Sequence, residues 1–115
     1  MPFLRIISNS FLKDKNPQQC TERVAELISN KTGKPVNSIV VHISTNQEMC
    51  FLGSAETKGV LAYLEAIGFN DKEGIVKLLT EFLYECFEDV DLSAINIVLS
   101  DLKVSEVAKG GHLLG

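Results

Sequence analysis

The sequence predicts an α/β (α+β) domain in which two β-α-β units join into one mixed four-stranded sheet with both helices on one face. Three observations predict it. Four short apolar runs have strand length, two longer stretches carry apolar residues at helical spacing, and the order of the pieces repeats in the two halves of the chain. The 115 residues suit a single domain spanning 1-115. A hydrophobic fraction of 45% with 23% charged residues is that of a globular chain.

The first run, Phe3-Leu4-Arg5-Ile6-Ile7, reads as a strand. Asn16-Pro17 marks a helix start, an amide cap followed by proline at a position where its missing N–H is not needed. Cys20, Val24, Leu27 and Ile28 then recur at helical spacing, and the helix should end before Thr32-Gly33-Lys34-Pro35. Ile39 to Ile43 is a second strand. A polar turn from Ser44 to Gln47 leads to a short extended piece at Met49 to Leu52, and Val60 to Ile67 forms the next strand. Asn70 or Asp71 caps a second helix, with Glu73 favourably placed in its first turn. Its stripe of Ile75, Leu79, Phe82, Leu83 and Cys86, widened by Val76, Leu78 and Phe87, needs a sheet to cover it. Ile95 to Leu99 is the last strand, and a glycine-containing tail follows from Leu102. No third helix is available for the other sheet face, so association with further copies is the natural way to cover it. Periodicity does not distinguish a trimer from a dimer.

Composition excludes several classes. A net charge of -4 with scattered basic residues lacks the concentrated positive face that nucleic acid requires. No stretch approaches the roughly 20 apolar residues of a membrane span. Cys20, Cys50 and Cys86 are odd in number and widely spaced, so neither a disulfide framework nor a zinc site is expected, and two histidines do not suggest a metal. No secretory leader is expected. The cytoplasm is the expected location, with export by another route left open.

The start Met1-Pro2-Phe3-Leu4, the turn Thr32-Gly33-Lys34-Pro35 and the run from Ile39 to Gly68 together resemble the macrophage migration inhibitory factor and D-dopachrome tautomerase family. Within that run Val41-His42, Gln47-Glu48-Met49, Phe51, Gly53-Ser54, Glu56 and Ala66-Ile67-Gly68 fall in family-like order. The resemblance implies a homotrimer with sheets facing inward and pockets at subunit boundaries. It implies a cofactor-independent keto–enol tautomerase acting on small anionic dopachrome-like or phenylpyruvate-like substrates. Pro2 would be the catalytic base once Met1 is removed, Lys34 would attract the substrate's negative charge, and Ile67 would be a pocket wall.

The strand from Ile95 places Asn96 and Val98 where the migration inhibitory factor carries a tyrosine and an asparagine, and Lys109 stands where its tail has a tryptophan. Asn96 and Lys109 are therefore substrate-binding candidates in a pocket with a reduced aromatic wall. The added basic residue is more like the D-dopachrome tautomerase branch. No Cys-x-x-Cys pair is present near Gly59 to Ala62. The competing expectation is a cytokine-like binding protein with weak or no turnover and a cell-surface receptor as partner. His42 and Tyr63 read as interface residues, and none of the three cysteines is assigned chemistry.

Overall fold

The computed structural model describes all residues from Met1 to Gly115. Its elements in chain order are β1 (Phe3–Ser8), α1 (Pro17–Thr32), β2 (Val40–Ser44), β3 (Val60–Ala66), α2 (Lys72–Cys86), β4 (Ile95–Asp101) and a small hairpin of β5 (Ala108–Lys109) and β6 (His112–Leu113). The four long strands form one mixed sheet in the order β2-β1-β3-β4. The pairs β1/β2 and β3/β4 are parallel and β1/β3 is antiparallel. Each parallel pair is joined through a helix, so the two β-α-β halves meet at the central antiparallel pair.

Local chemistry sets the helix ends. The Asn16 side chain accepts from the Gln19 N–H at 3.1 Å, and Pro17 follows within the first turn. Gly33 closes α1 at φ 75, its N–H donating to the Ser29 carbonyl at 2.8 Å. The Asp71 carboxylate caps α2 by accepting from Gly74 N–H at 3.0 Å, with Glu73 in the first turn. The helices run antiparallel. Lys31 near the end of α1 bridges Asp71 at the start of α2 at 2.8 Å, and Arg23 lies 5.6 Å over the Phe82 ring further along.

Strand alternation then separates two sheet faces. On the helix-covered face Val41, Leu4, Leu64 and Leu99 form one row, and Ile43, Ile6, Ala62 and Ile97 the next. These pack with Val24, Ile28, Ile75, Leu79 and Leu83 into one core. The opposite face carries the rows Val40-Phe3-Glu65-Ser100, His42-Arg5-Tyr63-Val98 and Ser44-Ile7-Leu61-Asn96. Val40 is 53% and Val98 42% exposed there. At the end of β1, Ser8 Oγ donates to the Gly59 carbonyl at 2.6 Å and Gly59 N–H donates to Asn9 Oδ1 at 3.0 Å, so these buried polar residues are paired.

One expectation is corrected. Met49 to Leu52 is not a strand: Leu52 and Gly53 take φ 52 and 79, closing a tight turn whose flanks, Phe51 and Ser54, bond to each other. Exposed Cys50 therefore belongs to no strand. The tail, left without an element by the sequence, forms a hairpin, because Gly110 and Gly111 at φ 60 and 86 let β6 turn back on β5.

Candidate functional site

The chain start, the turn after α1 and the end of β3 meet at one edge of the molecule. Pro2 immediately precedes β1; its ring is buried and its carbonyl accepts from Val40 N–H at 3.0 Å. Lys34 follows the left-handed Gly33, which ends α1 and turns the chain toward β2. Its Nζ donates to the Ile67 carbonyl at 2.5 Å, with the Gly68 carbonyl at 3.4 Å. Those carbonyls are free because Ile67 lies just past the last paired residue of β3. Thr32, Lys34, Ile67, Gly68, Phe69 and Asn70 line a cavity of about 340 Å³.

Lys109 lies in β5 of the tail hairpin, and its charge acts on the amino group at the chain start. The amino group of Met1 is held below its ordinary value, first by burial, then by the positive charges of Lys34 and Lys109. Lys34 and Ile67 are in direct contact at this edge, and the charges of Lys34 and Lys109 both act on the amino group of Met1 beside Pro2. Their arrangement can attract an anion and disfavour protonation of an amine.

Asn96 is not brought there. It is exposed on the helix-free face, and its Nδ2 donates to the Ala94 carbonyl at 3.3 Å. Its row includes Ile7, which lies five residues along β1 from Pro2, roughly 16 Å at strand rise. Val98 shares that outward face. Within one chain, the candidates divide between the amino-terminal edge and the open sheet.

Sequence reasoning missed one grouping. Cys20 and Cys86 line a separate cleft of about 190 Å³ between the helices, with Leu12, Lys13, Asp14, Arg23 and Glu85. Antiparallel helices bring the start of α1 to the end of α2, a signal that becomes readable only when the helix directions are known. No cluster of three or more His, Cys, Asp or Glu residues is placed to hold a metal ion, and no helix is long and apolar enough to cross a membrane.

The family model described as macrophage migration inhibitory factor matches residues 1–115. No curated protein matches the chain by sequence. Among solved structures, a migration inhibitory factor homologue from Prochlorococcus marinus superposes with TM-score 0.87 at 15% identity, covering 98% of this chain and 99% of that one. The factor from Trichinella spiralis gives 0.81 at 20% identity, covering 96% and 98%. A migration inhibitory factor-like protein from Entamoeba histolytica gives 0.85 at 13%, covering 97% of each.

Proposed function

The chain belongs to the macrophage migration inhibitory factor family, and from that premise we propose that it is a homotrimeric, cofactor-independent keto–enol tautomerase whose base is the amine of Pro2. The observation that carries this reading is the electrostatic setting of the Met1 amino group, one residue from Pro2, where burial first and then the charges of Lys34 and Lys109 disfavour the protonated amine. Removal of Met1 would place a secondary amine at the buried Pro2 position. The neutral amine takes the proton from the carbon beside a substrate carbonyl, the C–H electron pair moves into a carbon–carbon double bond, and the carbonyl oxygen gains negative charge. Returning the proton to that oxygen gives the enol and restores the amine. The reverse sequence gives the ketone.

Lys34 has a further role in this reading. An ammonium has three N–H donors, and the Ile67 and Gly68 carbonyls engage two, leaving a third for a substrate carboxylate or the developing oxyanion. Lys109 adds positive charge, and Ile67 closes one side. Small anionic carbonyl compounds fit this chemistry. Asn96 would act only from a neighbouring subunit, which agrees with its place on the open face. Val40 and Val98, exposed on that face beside half-buried Phe3, Ile7 and Leu61, are the surface that three subunits would cover.

A second reading rests on Pro2 as it stands beneath Met1. Its nitrogen is then an amide and cannot act as a base, leaving a binding protein of cytokine type, in the cytoplasm or exported, with a receptor as partner. One assay separates the two. Protein whose intact mass shows Met1 removed is tested on hydroxyphenylpyruvate and D-dopachrome beside Pro2→Gly. The tautomerase reading predicts turnover that falls by about 100-fold or more in the variant. Equal rates in both, or none in correctly processed protein, favour the binding reading.

A further inference from the structure

Three contacts fix how the helices lie against each other. Lys31 pairs with Asp71 at one end, Arg23 covers Phe82 further along, and Cys20 and Cys86 share a cleft at the far end. Cys20 lies in the first turn of α1 and Cys86 is the last residue of α2. The two thiols are 66 positions apart in sequence yet line the same cavity of about 190 Å³. Both sit in terminal turns, where small backbone shifts are least costly. Neither belongs to the amino-terminal site, and both lie on the helix side of the sheet, away from the face assigned to subunit contact.

We propose that Cys20 and Cys86 form a peroxide-responsive dithiol, with Cys86 oxidised first and Cys20 closing a disulfide between the two helices. Access sets the order. Cys20 is 3% exposed, whereas Cys86 is half-buried at the cleft wall. The charges around the cleft are Arg23 and Lys13 on the positive side and Asp14 and Glu85 on the negative. The neighbouring Cys20 thiol favours the Cys86 thiolate and brings Cys86 to about 7; burial and Glu85 oppose this, while Arg23 and Lys13 reinforce it. Cys20 is pushed up, first by its hydrogen bond with Cys86 and then by burial, so it stays a thiol.

The chemistry balances with hydrogen peroxide as oxidant. The Cys86 thiolate attacks one peroxide oxygen, the O–O bond breaks, and Cys86 sulfenic acid forms with release of hydroxide. Cys20 sulfur then attacks the Cys86 sulfur. The S–O bond breaks, the Cys20 proton leaves with the hydroxyl as water, and the disulfide forms. Two thiols are oxidised and one peroxide is reduced to water. An external thiol reverses the cross-link by exchange.

The test uses the full chain carrying Cys50→Ser, which removes the exposed bystander thiol. Reduced protein is treated with equimolar hydrogen peroxide, alkylated, and mapped as peptides without reduction. The expected result is loss of both remaining thiols and a Cys20–Cys86 linked peptide within one chain, reversed by dithiothreitol. Adding Cys20→Ser should leave a sulfenic acid on Cys86 that dimedone traps, while Cys86→Ser should leave Cys20 unreacted. Both thiols still titratable after peroxide, or a link only between chains, would overturn the proposal. A measurement without any substitution guards against misfolded variants: in the unsubstituted chain at neutral pH, iodoacetamide should label Cys86 several-fold faster than Cys50. The opposite order contradicts the assignment of Cys86 as the reactive thiol.

Discussion

The two faces of the sheet obey different rules. The helix-covered face is apolar across its central rows, and Leu4, Ile6, Ala62 and Leu64 are at most 2% exposed. The opposite face mixes Phe3, Ile7, Leu61 and Val98 with Arg5, His42, Glu65 and Asn96, and much of it stays open. Arg5 lies 4.8 Å over the Tyr63 ring there, a cation and an aromatic packed side by side. The first face encodes the fold of one subunit. The second has the composition of a surface awaiting partners, half apolar and half able to choose a register. The difference assigns separate jobs to neighbouring residues of a single strand.

Substitutions that respect this division should give unequal results. The largest loss belongs to the covered face: Leu64→Ala leaves a cavity beneath both helices and should lower unfolding free energy by about 2–5 kcal/mol in urea denaturation. A somewhat smaller loss is expected at the loop entering β3. A methyl group on Gly59 would meet the Ala94 carbonyl oxygen at 2.5 Å and the Phe51 ring at 2.7 Å, so Gly59→Ala should cost about 1–3 kcal/mol. The smallest effect on the subunit belongs to the open face. Val98→Asp should change the intrinsic stability of the subunit by no more than about 0.5 kcal/mol, yet sedimentation should move from trimer to monomer. If Val98→Asp unfolds the isolated subunit as severely as Leu64→Ala, the division between faces fails.

The sequence was informative where local and packing rules agree. Asn16, Asp71 and Gly33 marked helix ends, and the apolar runs at Phe3 to Ile7 and Val60 to Ile67 marked β1 and β3. At Met49 to Leu52 apolar residues imitated a strand, because hydrophobicity does not reveal that Leu52 and Gly53 adopt positive φ. The tail hairpin was hidden by strands of only two residues each. Lys34 and Ile67 were named together through the family-like order of the residues around them, and the structure shows them in contact, with two carbonyls holding the lysine ammonium. The Cys20–Cys86 pairing depends on helix direction, which spacing along the chain does not encode. Asn96 illustrates a further limit, since its distance from Pro2 within one chain makes any shared role a property of the assembly.

The central claim is that cations tune an amino-terminal base. The direct measurement is the pH dependence of kcat/KM for hydroxyphenylpyruvate with Met1-free protein, compared with Lys34→Ala. The neutral amine is the active form, so activity should rise with pH as the amine loses its proton and level off above its pKa. Burial first and then Lys34 hold the Met1 amino group below its ordinary value, and the account extends the effect of that cation to the Pro2 amine, so Lys34→Ala should move the rise to higher pH and increase KM. A profile that is unmoved by Lys34→Ala, or that falls where the amine becomes neutral, would contradict the account.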